Sequence, residues 1–86
     1  GKELVFAVTA PQGNAQMNIW GTDTYTLDSN IAGAAMHAGL VQPGQAGVVR
    51  IRVVASPQQF TGSLRNGVTT SPYGTYPSGA FEFVKK

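Results

Sequence analysis

The stretch Ser29-Asn30-Ile31-Ala32-Gly33-Ala34-Ala35-Met36-His37-Ala38-Gly39 constrains this chain more than any other, because it alone reads as a helix and nearly all of it is small or apolar. Asp28 and Ser29 offer side-chain oxygens to the first free backbone N–H groups, and Gly39 can take the left-handed conformation that closes a helix. The expected helix covers about residues 29–38 and is roughly 15 Å long. On a helical wheel Ile31, Ala32, Gly33, Ala34, Ala35, Met36 and Ala38 occupy nearly the whole circumference, leaving Asn30 and His37 polar. A helix apolar all round is a buried helix. Gly33 costs roughly 1 kcal/mol against Ala in such a position, which implies that a neighbouring backbone needs the room.

The remainder reads as short strands around that rod. Lys2 to Thr9 is β-branched and aromatic without helical periodicity, with Leu4, Phe6 and Val8 expected inward and Ala10 to Asn14 punctuating its end. A short strand is expected over Ala15 to Trp20 with a bulge near Gly21, followed by a β-like or extended lead-in from Thr22 to Leu27 in which Tyr25 packs on the helix. Gln42-Pro43-Gly44-Gln45 is a turn signal. Gly47 to Ala55 is the clearest strand, with Val49, Ile51 and Val53 alternating with Arg50 and Arg52. Another short strand is expected around Phe60, within Gln58 to Ser63. Asn66-Gly67 suits a tight type I′ hairpin turn. Thr69 to Gly79 is a loop rich in Pro, Gly and Tyr, and Ala80 to Val84 forms a last strand before the solvated Lys85 and Lys86. The fold class is α+β: one buried central helix enclosed by several short, mostly antiparallel strands, in a single domain over 1–86.

Composition narrows the function. The chain has 86 residues, no cysteine, 12% charged residues and a net charge of +2. There is no disulfide and no thiolate metal site. The charge falls short of what a duplex-binding groove needs, so no nucleic-acid partner is expected. No run is long and apolar enough to span a bilayer. No secretory leader is recognisable, so export would place Gly1 at or beyond a cleavage point. Low charge with abundant Ser, Thr, Asn, Gln and Gly is a texture common in exported bacterial proteins.

The candidate chemistry is sparse. His37 is the sole histidine, so a metal site would depend on Asp23, Asp28 or Glu82, and a hydrolytic triad would need a nearby Ser with His37 and Asp28. The plainer expectation is that His37 bonds backbone carbonyls of an adjoining strand, so neither catalysis, a metal nor a cofactor is assigned. Arg50 and Arg52 share one strand face about 7 Å apart and, with Arg65, could engage phosphate or uronate groups; alternation on a half-exposed strand also explains them. Trp20, Tyr25, Tyr73 and Tyr76 could include a sugar-stacking platform; Tyr73 and Tyr76 lie in the loop between Pro72 and Pro77 and suit recognition or assembly, whereas Trp20 and Tyr25 are expected in the core with Ile31, Ala34, Ala35 and His37.

Tyr25-Thr26, Asp28-Ser29, Ile31, Ala34-Ala35 and His37-Ala38-Gly39, followed by Gly47-Val48-Val49, Phe60, Gly62-Ser63, Asn66-Gly67-Val68 and Ser78 to Phe83, resemble the LCCL domain over residues 20–83. The resemblance implies a central helix enclosed by strands. It also implies a non-catalytic module, extracellular or periplasmic, that binds lipopolysaccharide or another extracellular ligand, here an envelope polysaccharide or a protein partner. The family's cysteine after the Ile falls at Ala32, and the N-terminal cysteines usual in animal members are absent, so the chain looks like the cysteine-free bacterial variants. The alternative, from a different class, is a structural subunit whose strand edges and Tyr/Pro loop pack against copies of itself or within a larger complex.

Overall fold

The alternating run in the middle of the chain forms the spine of the sheet. The computed structural model describes residues 2–10 and 18–84. The strand expected over Ala15 to Trp20 lies partly, and the Pro11 to Asn14 punctuation and the lysines 85 and 86 wholly, outside these residues. Strands are β1 (Glu3–Thr9), β2 (Gly21–Thr22), β3 (Thr24–Thr26), β4 (Ala46–Val54), β5 (Leu64–Arg65), β6 (Val68–Thr69) and β7 (Ala80–Phe83), with one helix, α1 (Ile31–His37). Five strands form an antiparallel sheet in the order β1-β4-β7-β3-β2, and β5 and β6 form a separate hairpin.

Strand β4 pairs along β1 on one side, with Phe6 opposite Val49, and along β7 on the other, with Val53 opposite Phe81. Period-two alternation sends Val49 and Ile51 into the core and leaves Arg50 and Arg52 on the outer face. Leu4, Phe6 and Val8 share the inner side, but β1 is an edge strand: Phe6 and Val8 are only half-buried and Leu4 is exposed. The expected strand around Phe60 is absent; Phe60 makes an isolated bridge to Tyr73. The β-like lead-in to the helix is strand β3, which a tight turn at Asp23, with φ 67°, folds back on β2 as a hairpin.

The helix is buried as expected but begins later than residue 29. Asn30, not Asp28 or Ser29, is its cap: the Asn30 side chain accepts from Gly33 N–H at 2.8 Å. The other two oxygens are already committed. Asp28 accepts from the Thr26 hydroxyl, and Ser29 Oγ accepts the Trp20 backbone N–H at 3.0 Å. At the far end Gly39 takes φ 82°, its N–H reaching the Met36 carbonyl and that of Leu40 reaching Ala35, which closes the helix. Gly33, Ala34, Ala35, Met36 and His37 are buried, with Tyr25, Val49, Ile51 and Phe81 on the sheet and Val68 on the hairpin completing the core. The Asn66-Gly67 turn has φ 53° and 78°, the paired positive values of a type I′ turn. Asn66 Nδ2 then donates to the His37 carbonyl at 2.8 Å, so the hairpin lies against the end of the helix.

Candidate functional site

His37 is fully buried, and its ring bonds side chains, not the backbone carbonyls expected from the sequence. Nδ1 lies 2.9 Å from the Tyr25 hydroxyl and Nε2 lies 3.0 Å from Ser63 Oγ. Ser63 Oγ is in turn 2.6 Å from Thr22 Oγ1, which is 2.7 Å from the Thr61 carbonyl. A carbonyl can only accept, so the single Thr22 hydroxyl proton goes to Thr61. Ser63 must then donate to Thr22, which leaves it only an acceptor for His37. Burial, reinforced by the Arg65 guanidinium, holds the His37 pKa below the ordinary value and keeps the ring neutral. Nε2–H therefore donates to Ser63, and Nδ1 accepts from Tyr25, whose phenol burial keeps protonated.

This direction runs against nucleophilic catalysis. A base activating Ser63 would have to receive its proton, yet here the ring gives one to it. Asp28, drawn into a triad with His37 at the sequence level, spends its carboxylate on Thr26. Among the described residues no three His, Asp or Glu side chains gather as metal ligands.

The network ends in the wall of an open groove of about 850 Å³, lined by residues 59–64 together with Thr69, Thr70, Pro72, Tyr73 and Gly74. Gly62 brings its two walls together: a Cβ there would stand 2.7 Å from the Thr70 carbonyl and 2.8 Å from the Pro72 nitrogen. Phe60 is buried at its floor and Tyr73 is 44% exposed. The rings of Trp20 and Tyr76 meet Tyr73 edge-on, with centroids 6.1 and 5.8 Å away. Trp20 thus departs from the core position expected of it; it is half-buried beside the loop aromatics. Tyr25 is the buried one, stacked on Phe81. Ile31 is half-buried against the core, and Ala34 and Ala35 are within it.

The three arginines are not gathered. Arg50 and Arg52 lie on the outer sheet face, where both meet Glu3 at 3.6 and 3.1 Å and Arg52 also approaches Glu82. Arg65, on the hairpin, is bonded to Asp23 at 2.7 Å. Trp20, a candidate for an aromatic platform that was expected in the core, stands beside the groove aromatics, whereas Gln59, Thr61, Ser63 and Thr69 in the groove wall carry no signal in the sequence. The Trp20–Ser71 bridge that places Trp20 joins segments far apart in the chain and leaves no local pattern.

The LCCL domain family model matches residues 2–80. Human vitrin is 35% identical over 65 residues, which covers 73% of this chain and 9% of vitrin. Human cysteine-rich secretory protein LCCL domain-containing 2 is 36% identical over 61 residues, or 71% of this chain and 12% of that protein. Bovine vitrin is 34% identical over 65 residues, covering 73% of this chain and 10% of that protein. The chain thus spans about a tenth of the length of these curated relatives.

Proposed function

Since this chain belongs to the LCCL domain family, we propose that it is a non-catalytic binding module working outside the cytoplasm, with the groove beside Tyr73 as its recognition surface. Family membership supports the coarse reading, and the word "secretory" in one relative's name supports the location. The observation that carries the finer reading is the exposed Tyr73 ring, propped by Trp20 and Tyr76 along a groove whose walls offer Gln59, Thr61, Ser63 and Thr69. An aromatic face beside hydroxyl and amide groups suits a polysaccharide segment, whose C–H faces pack on the ring while its hydroxyls bond the walls.

The ligand is a weakly charged stretch of an envelope polysaccharide. Arg50, Arg52 and Arg65 are each engaged by carboxylates, so a phosphate or uronate would have to displace Glu3, Glu82 or Asp23 first. The test is a titration of isotope-labelled protein with neutral glycans, anionic glycans, lipopolysaccharide and candidate protein partners. Shifts confined to residues 59–74 with neutral glycans, abolished by Tyr73→Ala, are expected. Shifts centred on Arg50 and Arg52, or silence with every glycan, would overturn the glycan reading.

A further inference from the structure

Strand β1 is one edge of the five-stranded sheet, and among the described residues no strand pairs with its outer side. The Lys2 carbonyl accepts from Val53 N–H at 2.7 Å and Ala10 N–H donates to Gln45 at 2.8 Å, so the even-numbered residues carry the bonds to β4. By the alternation of an antiparallel ladder, Glu3, Val5, Ala7 and Thr9 direct their N–H and C=O groups away from the sheet. Such edges are ordinarily guarded by a charge, a proline or a bulge. Leu4 to Thr9 contains neither a charge nor a proline. Glu3 at its end is already neutralised by Arg50 and Arg52.

The strand is also apolar on both faces. Leu4, Phe6 and Val8 sit on the inner side and remain partly open, while Val5 on the outer side is 58% exposed. Val48, the cross-strand partner of Ala7, is 72% exposed, which extends the outer apolar patch into β4. A solvated edge strand is normally polar on its outer face.

We propose that β1 is an assembly edge that pairs antiparallel with β1 of a second copy, about a two-fold axis at Phe6, joining two sheets into one. The sequence of the strand is complementary to itself in that register. Phe6 meets Phe6, Leu4 meets Val8, Val5 meets Ala7 and Glu3 meets Thr9, while Lys2 falls opposite Ala10, so no like charges oppose. The residues whose backbone groups point outward face one another, as a ladder requires. Moving the axis to Val5 sets Glu3 against Ala7 and Lys2 against Val8 and carries Thr9 beyond the described residues of the partner strand. A one-residue slip would set outward-pointing groups against inward-pointing ones. No residue of β1 lines the groove at Tyr73, so this assembly is independent of the glycan reading.

Light scattering across a concentration series should find the mass rising from 9.0 kDa toward twice that value. The double substitution Val5→Lys, Ala7→Lys sets lysine against lysine at both outer pairs without touching the core, and should weaken dimerisation by about tenfold or more. Ala7→Pro removes an outward N–H while sparing the bonds to β4, and should act likewise. Under mild oxidation Phe6→Cys should form a covalent dimer, since facing residues of a non-hydrogen-bonded pair have Cα atoms about 4.5 Å apart, within disulfide range. Leu4→Cys, which faces Val8, should not. A chain that stays monomeric at millimolar concentration, a dimer indifferent to the double lysine variant, or an edge that takes up only unrelated extended peptides would overturn the proposal.

Discussion

The Tyr25 hydroxyl donates to His37 Nδ1 across 2.9 Å, tying strand β3 to the last residue of the buried helix. Both rings are fully buried, and the far nitrogen of the imidazole holds Ser63 in the groove wall. His37→Ala should therefore cost about 2–4 kcal/mol, because it opens a cavity and strands the Tyr25 hydroxyl without a partner. Tyr25→Phe should cost about 1–2 kcal/mol, since it leaves only the imidazole nitrogen unpaired. Urea unfolding of both single variants and the double variant gives the coupling between them. Wild-type stability in His37→Ala would overturn the structural role assigned to this ring.

The same burial gives the chain a dependence on acid. Unfolded, the imidazole titrates near its ordinary value of 6.5; folded, desolvation first and the Arg65 guanidinium second push it lower, opposed by a hydrogen bond involving Ser63 and by Asp23. The unfolded chain thus binds more protons between the two values, and stability rises with pH through that window. The contribution is complete above about 6.5 and is lost as the pH falls toward the folded value. Protonation also makes both ring nitrogens donors, so Tyr25 would have to turn its hydroxyl proton elsewhere. Unfolding midpoints measured from pH 7.5 down to 4.5 should fall, and His37→Gln should remove the His-dependent part of that slope. An unchanged slope in that variant would assign the acid sensitivity to other groups.

Two glycines in or beside the groove should respond in opposite ways to the same methyl group. At Gly62 a Cβ would press on the Thr70 carbonyl and Pro72 backbone, neither of which can rotate away, so Gly62→Ala should cost about 1–3 kcal/mol and shift the groove resonances. At Gly74 a Cβ meets nothing within 4 Å and the backbone φ is not positive, so Gly74→Ala should be neutral or stabilising by up to about 1 kcal/mol. Thermal melts of the two variants compare them directly. Equal melting points would mean that the walls at Gly62 are not held together as tightly as the geometry requires.

Local chemistry explains what could be read beforehand and what could not. The small-residue helix, the Asn66-Gly67 turn and the alternating face of β4 each follow from residues close together in the chain, and each forms as its local pattern predicts, the first turn of the helix excepted. The helix starts later than its local pattern predicts because Asp28 and Ser29, good caps in isolation, are occupied by Thr26 and the Trp20 amide, which lie outside the helical segment. His37 was expected to meet carbonyls because no pattern in the sequence brings Ser63 to it across 26 positions. Phe60 has strand-like neighbours but its only partner, Tyr73, is a loop residue, so the pairing ends after one bridge. The arginines read as a cationic face because the spacing within β4 is visible, whereas the carboxylates that answer them belong to other strands.

Those carboxylates decide what the arginines contribute. All the partners are substantially exposed, with side-chain accessibilities between 37 and 69%, so solvent screens each pair and its net worth is about 1 kcal/mol or less. Glu3 is the exception to counting pairs singly, because it answers Arg50 and Arg52 together across the β1–β4 ladder. Removing both arginines leaves Glu3 and Glu82 without their cations on a solvated face, where water replaces the lost bonds at little expense. The double variant Arg50→Ser, Arg52→Ser should therefore lower stability by about 1–2 kcal/mol in low salt, and by less in molar salt as screening removes the pairs from the wild type too. Its affinity for a neutral glycan in the groove should match wild type. Anionic glycans provide the decisive comparison. If they bind the wild type strongly, lose affinity steeply with salt and fail on the double variant, then the ligand displaces Glu3 and Glu82, and the outer sheet face rather than the Tyr73 groove is the recognition surface.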